Sequence, residues 1–210
     1  MEKFLQAAAM AWNPLGQIRQ RLENDTLTFS SVLAPFLGIV IVSNLVALGG
    51  QKFFMESLLS VYGAELPADP FLNSEYAQQV LSVIGVLVPV GAVALLPPGV
   101  FGRAGKNRTV SAIIIVMAAS AFYGAAVGAP IHVLSGLWVA GSPDTGLVLY
   151  GILGMSASIA VLGLTLFFWF RTLSGILQFQ GGQVAAITAA AVVGLVVVMV
   201  LFGLAAVSSV

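Results

Sequence analysis

The stretch VSAIIIVMAASAFYGAAVGAPIHVL, residues 110–134, decides the class of this chain. It is preceded by FGRAGKNRT, residues 101–109, which carries three cations. The 25 residues of the apolar stretch contain no Asp, Glu, Lys or Arg. About 20 such residues suffice for a helix to cross a hydrocarbon core of about 30 Å. We therefore predict a membrane-spanning helix that starts at a basic hinge.

Four further apolar stretches meet the same length criterion, and none of them contains a charged residue. They cover residues 27–48, 79–101, 146–170 and 184–206. Because lipid offers no hydrogen-bond partner to the backbone, spans of this kind form helices. The sequence predicts an all-α, polytopic transmembrane helix bundle of five spans over residues 27–206, preceded by a cytoplasmic segment, residues 1–26.

Composition supports the membrane class and excludes several kinds of catalytic and binding site. Hydrophobic residues make up 59% of the chain and charged residues only 8%, far outside the range of soluble domains. The formal net charge of zero argues against nucleic acid as a partner. The chain has no cysteine and a single histidine, which excludes thiolate sites and leaves no catalytic triad. We expect no catalytic residue, no metal site, no cofactor and no enzymatic activity.

The distribution of Lys and Arg predicts the topology. Seven of the eight fall on one side when the five stretches are threaded through a membrane, and only Lys52 falls on the other. Short basic loops stay in the cytoplasm, so the N-terminus is predicted inside and the C-terminus outside. The seven are Lys3, Arg19, Arg21, Arg103, Lys106, Arg108 and Arg171.

The segment before the first span reads as a short amphipathic helix. Asn13 is a good N-cap, and Pro14 suits the first helical position. Leu15, Ile18 and Leu22 then share one face. Two interpretations are open: a helix lying flat on the anionic cytoplasmic leaflet, or a polar lead-in to the first span.

The connection between the first two spans has helical features of its own. Phe54, Leu58 and Val61 recur at helical spacing before Gly63, and residues 69–70, Asp-Pro, open another helix. This pattern predicts a separate outer helix after the first span. Aromatic residues near span ends, among them Tyr150, predict interface anchors.

Prolines and small residues predict the shape and packing of the spans. Pro35 and Pro89 are expected to kink their helices, and the run at 97–99, Pro-Pro-Gly, to loosen the end of the second. Small residues four positions apart predict close helix approach, either within the chain or in a homodimer. The pairs are Gly124 with Gly128, Gly154 with Ser158, Ala186 with Ala190, and Ala190 with Gly194.

Two groups of side chains are candidate sites. The first is basic and predicts contact with lipid phosphates or a partner, with topology determination as the plainer alternative. It comprises Arg19, Arg21, Arg103, Lys106, Arg108 and Arg171. The second is a polar cluster of His132, Asp144 and Glu75 near the outer ends of the spans, for which a structural role of the histidine is the alternative.

The layout resembles a known family. The Asn13-Pro14-x-x-x-Ile18 lead-in, the basic hinge at 101–106, and Tyr123 followed by Pro130 are similar to the bacterial form of the Ypt/Rab-interacting-protein (Yip) domain family. The stretch 169–176, WFRTLSGI, followed by the small pairs at 181–182 and 185–186, is similar too. The likeness covers nearly the whole chain.

The resemblance implies a fold more than an activity. Eukaryotic members of the family bind prenylated small GTPases through a long cytoplasmic N-terminal region, which here amounts to 26 residues, and their Asp-Leu-x-Gly-Pro signature is not found in this chain. The bacterial form implies an inner-membrane location.

The sequence favours a non-enzymatic scaffold or membrane organiser that contacts membrane lipids, other membrane proteins or a second copy of itself. A small transporter or channel-like subunit is the alternative, because polar residues at membrane depth line a path in such proteins. Those residues are Asn44, Ser82, Ser120, Ser156, Ser158 and Thr165.

The charge bias generates a topology prediction. A reporter that is active only outside the cytoplasm is expected to be active when fused after Val210 and silent when fused within residues 102–109, because short basic loops are retained inside. Reporter activity in living cells is the measurement. The reverse pattern at either position contradicts the five-span topology.

Overall fold

A computed structural model describes residues 10–63 and 75–208, with side-chain surroundings given for 10–63 and 83–200. The described residues form helices and contain no β-strand. In chain order the helices are α1 (Pro14–Glu23), α2 (Phe29–Tyr62), α3 (Glu75–Ala94), a short 3₁₀ segment (Pro98–Ala104), α4 (Lys106–Gly141), α5 (Pro143–Phe170), a π-helical turn (Arg171–Ile176) and α6 (Gly181–Ser208). The prediction of an all-α fold is confirmed.

Four of these helices are long and apolar enough to cross a membrane, and the bent pair formed by α3 and the 3₁₀ segment is a fifth if it counts as one span. The bend is 94° and lies between Ala94 and Pro98, at the start of the Pro-Pro-Gly run that was expected to loosen this end of the span. Proline lacks an amide donor and clashes with the preceding turn, so the helix ends at Ala94 before Pro97. The second predicted span, residues 79–101, is therefore broken rather than continuous.

The other helices are longer than the spans predicted for them. α2 was predicted to end near residue 48 and to be followed by a separate helix, but it continues without a break to Tyr62. Its 34 residues measure about 51 Å at 1.5 Å per residue, well beyond a hydrocarbon core of about 30 Å. Gly63 ends it in the left-handed conformation, with φ of 61°, which only glycine adopts at little cost. The predicted helix start at 69–70 lies outside the described residues.

α2, α4 and α5 form the larger group of packed helices. Gly50 of α2 faces Ala129 of α4, and Gly136 of α4 faces Phe53, so α2 and α4 run parallel. Ser120 bonds Thr165, and Gly146 lies against Val139, so α5 runs antiparallel to α4. The absence of side chains at these glycines lets backbones approach: a Cβ on Gly50 would lie 3.0 Å from the Ala129 backbone.

α3 and α6 form a second pair, also antiparallel. A Cβ on Gly194 would lie 2.7 Å from Pro89 Cα, closer than real Cβ atoms come. The predicted close approach at Gly194 is thus present within the chain. At Gly124, Gly128 and Gly154 the predicted close approach within the chain is absent, because a Cβ on any of them would meet nothing within 4 Å. These glycines border open space between α4 and α5.

The first half of α4 is the centre of the fold. From Thr109 to Val116 every residue is buried, whichever way its side chain points. A helix that is apolar on all sides must be surrounded on all sides. α1, α2, α3, the 3₁₀ segment and the π-helical turn all contact α4.

α1 forms as the sequence predicts, with its cap confirmed: the Asn13 side chain accepts a hydrogen bond of 3.1 Å from the Gly16 amide. Its apolar face does not point to lipid. Ile18 is fully buried, and Leu15 and Leu22 pack against the core. The interpretation that this face enters the leaflet is wrong, because protein already covers it. α1 is a cap on α4 and the π-helical turn.

We expect the two kinds of glycine to respond oppositely to substitution. Gly194→Leu should lower the free energy of unfolding by about 1–3 kcal/mol, because the new side chain collides with the Pro89 backbone. Gly124→Leu should leave stability nearly unchanged, because its side chain enters open space. Thermal unfolding of both purified variants in one detergent measures the difference, and equal losses would contradict this packing.

Candidate functional site

The six basic residues singled out from the sequence all lie at one end of the bundle, which we call the basic end. It is formed by α1, the start of α4, the 3₁₀ segment and the π-helical turn. The Phe29 amide donates to Asn107 Oδ1 at 3.1 Å and so ties the start of α2 to the start of α4. Trp169 Nε1 donates to Thr188 Oγ1 at 2.9 Å, which joins the end of α5 to the start of α6.

Two of these six cations have structural partners. Arg108 forms an ion pair with Asp25, and both side chains are largely exposed, so water and salt screen the pair. Arg21 is half-buried and donates to Ser31 Oγ at 3.4 Å. The Arg108 and Arg21 side chains hold the loop between α1 and α2 against the bundle. Because they already have partners, they are less available to an outside ligand.

The other four cations have exposed side chains on four separate elements. Arg19 lies on α1, Arg103 on the 3₁₀ segment, Lys106 at the start of α4, and Arg171 at the start of the π-helical turn. α2 and α4 begin at the basic end, and α5 ends there. Residues that are far apart in sequence therefore meet at this end. An exposed cluster of one sign attracts an anionic surface.

His132 lies near the opposite end and contacts aromatic rings instead of carboxylates. Phe54 stacks on Tyr150, with ring centroids 4.2 Å apart and planes 18° apart. The His132 ring lies 5.4 Å from Tyr150 and 6.2 Å from Phe54. His132 Nδ1 is buried and has no hydrogen-bond partner.

Of the predicted cluster of His132, Asp144 and Glu75, the structure describes only the first two side chains. Asp144 is exposed in the first turn of α5. Glu75 begins α3, and its side chain is outside those described. In the described ranges, no three His, Asp or Glu residues come together as a metal ion would need. The histidine is instead part of an aromatic cluster of Phe54, His132 and Tyr150.

A cleft of about 830 Å³ opens between α4 and α5 below this aromatic cluster. His132 and Tyr150 line one end, and Ser120 and Thr165 the other. The glycines that were predicted to pack closely form its walls, together with apolar side chains of α5. We call it the α4–α5 cleft.

The polar pair at the inner end of the cleft is satisfied within the protein. The Thr165 hydroxyl donates to the Val161 carbonyl at 2.8 Å, so the Ser120 hydroxyl donates to Thr165 Oγ1, also at 2.8 Å. Ser158 likewise donates to the Gly154 carbonyl of its own helix at 2.8 Å. Serine and threonine in membrane helices commonly bond in this way, and such hydroxyls need no water.

The polar residues do not line one path through the bundle. Beyond Ser120 and Thr165, towards the basic end, Ile113 to Val116 of α4 are buried in the core. Asn44 Nδ2, on α2, is buried without a hydrogen-bond partner, and the Ser82 side chain is outside those described. The cleft is therefore closed towards the basic end.

Sequence reasoning missed the aromatic cluster and the cleft. Tyr150 was predicted as an interface anchor, and its stacking on Phe54 depends on α2 continuing past residue 48. Small residues on facing helices were visible in the sequence, but their spacing alone does not tell contact from open space.

No family model, curated protein or solved structure matches this chain. The resemblance to the Yip family therefore stays a prediction.

Proposed function

We propose that this chain is a non-enzymatic, five-span integral membrane protein of the bacterial inner membrane, related to the Yip family, with its basic end in the cytoplasm. Its proposed role is that of a scaffold or organiser, held by that end against anionic lipid headgroups and contacting lipids or partner membrane proteins along its spans. The observation that carries the proposal is the collection of four exposed cations at one end of an apolar bundle.

The apolar surface of α5 supports the second half of this proposal. None of the most apolar window of this helix is buried inside the protein, in contrast to 56% for α4. Val148, Met155 and Ile159 are each 60% exposed or more. An apolar surface of this extent fits lipid or another membrane protein and does not fit water.

The transporter alternative has weaker support. A path needs polar groups that face water from one end to the other, and the cleft ends at a hydroxyl pair that is internally bonded. Single cysteines placed along α4 and α5 test it directly, since the native chain has no cysteine background. A water-labelled stripe that runs through to the basic end would favour transport over the scaffold.

Anionic lipid is expected to stabilise the protein through the basic end. Each exposed cation contributes about 1 kcal/mol of attraction near an anionic surface, and salt weakens it. The triple variant Arg103→Gln, Lys106→Gln, Arg171→Gln should therefore lose most of the rise in melting temperature that phosphatidylglycerol gives the wild type in mixed micelles. Phosphatidylcholine micelles serve as the neutral reference.

The matched control is Lys52→Gln, which removes one cation from the half of α2 that is farther from the basic end. It should keep the full response to anionic lipid. A triple variant that responds like the wild type, or a response that high salt leaves unchanged, would overturn the proposed role of the basic end.

A further inference from the structure

We propose that the start of the π-helical turn is a binding site for one anionic phospholipid, whose phosphate pairs with Arg171 and whose two acyl chains lie on either side of Phe170. Arg171 belongs to the basic end, so the site rests on the proposed function and gives it one defined position.

Arg171 is an isolated cation. It is the only charged residue from Thr145 to Val210, so α5, the π-helical turn and α6 bring no carboxylate to it after Asp144. Its side chain is exposed, and among the described side chains, 10–63 and 83–200, no carboxylate pairs with it as Asp25 pairs with Arg108. A guanidinium without a partner offers donors in a planar fork that matches the oxygens of a phosphate.

The π-helical turn gives the Arg171 side chain its place. A Cβ on Gly175 would lie 3.1 Å from Arg171 Cδ and 3.4 Å from its Nε. The stem of Arg171 therefore lies over Gly175, where the lack of a side chain leaves room for it. The nearby Ser174 hydroxyl already donates to the Phe170 carbonyl at 2.6 Å. Arg171 is thus the group of this turn that remains for a ligand, and π-helical turns occur frequently at functional sites.

Two open grooves adjoin this turn, and Phe170 borders both. The α5 groove, of about 480 Å³, is lined by Gly163, Leu166, Phe167, Phe170, Arg171 and Ser174. The α6 groove, of about 650 Å³, shares Phe170 and Ser174 with it and continues along α6 as far as Val192. Phe170 therefore forms a ridge between the two grooves, and Arg171 lies in the lining of the first.

The lining of the grooves fits acyl chains. Arg171 is the one charged side chain among the residues that line them. The polar group of the α6 groove, Thr188 Oγ1, already accepts a hydrogen bond from Trp169. Phe167 and Phe170 are 56% and 46% exposed, which is unfavourable in water. A soluble phosphate would pair with Arg171 and leave the grooves uncovered, whereas a phospholipid supplies an anion and two apolar chains in one molecule.

A second copy of this chain fits the same face less well. A two-fold interface uses the same surface of both protomers, so packing across Phe170 would bring two Arg171 side chains together. Their like charges repel each other most strongly where water is excluded. The elements that form the grooves carry no acidic residue after Asp144 to offset this repulsion.

Titration of the purified full chain with phosphatidylglycerol in mild detergent, read by native mass spectrometry, tests the site. Arg171→Gln should weaken the binding of one phosphatidylglycerol about tenfold, because it removes a charged hydrogen-bond donor from the phosphate. Arg108→Gln is the matched control. It removes one cation from the same end, but one that is already paired with Asp25, and it should weaken binding far less.

Two variants probe the grooves without changing the charge. Gly163→Leu places a side chain in the α5 groove, where a Cβ would meet nothing within 4 Å, and Ala189→Phe fills the α6 groove. Each should weaken the binding of phosphatidylglycerol, and each should affect lysophosphatidylglycerol less, because its single chain can use the groove that stays open. Gly38→Leu is the control, since Gly38 is an exposed glycine of α2 with nothing within 4 Å.

Three results would overturn the site. The first is equal affinity of Arg171→Gln and Arg108→Gln, or groove variants that bind like Gly38→Leu. The second is displacement of the bound lipid by inorganic phosphate but not by chloride at the same ionic strength, because a free ion would then suffice. The third is a disulfide-linked dimer of Phe170→Cys in native membranes, which would show that a second copy covers the grooves.

The proposed function can survive the loss of this site. If the single variants bind like their controls while the triple variant of the basic end still loses its response to phosphatidylglycerol, the cations act as a diffuse surface without a defined lipid position. A triple variant that responds like the wild type overturns both proposals.

Discussion

The burial of the first turns of α4 is the constraint on which the rest of the structure depends. Ile113, Ile114 and Ile115 are three consecutive branched residues that point in three directions, and each is 2% exposed or less. An amphipathic helix needs a neighbour on one side only, but this segment needs neighbours all round. α2 supplies one side along its length, and α1, the 3₁₀ segment and the π-helical turn close the others. The connections that form the basic end therefore pack around one apolar core, the first half of α4.

The fold class of this chain was predictable from its sequence, but the contacts between its helices were not. Length, apolarity and the absence of charge are local properties, so the number of apolar stretches and the all-α class followed from the sequence alone. The different surroundings of Gly124 and Gly194 did not follow from the sequence. Both occur in small-residue pairs, yet Gly194 touches the Pro89 backbone while Gly124 borders a cleft. The difference depends on which helix lies opposite, and a sequence pattern on one helix carries no information about its partner.

The same limit applies to the candidate sites. The basic residues were predictable as a group, because charge alone determines on which side of a membrane short loops stay. Their division into structural and exposed members was not, since it depends on contacts such as Arg108 with Asp25 and Arg21 with Ser31. For His132, the predicted carboxylate neighbours gave way to Phe54 and Tyr150, because α2 continues beyond residue 48 and brings Phe54 alongside.

The two ends of the bundle differ in what they offer to a membrane. At the basic end the interior is filled and the exposed groups are cations on short connections, so attraction of anions there is electrostatic and weakens with salt. Towards the other end α4 and α5 stay in contact but leave a mostly apolar cleft between them. α4 joins the two ends, because its first half is packed on all sides and its second half borders the cleft.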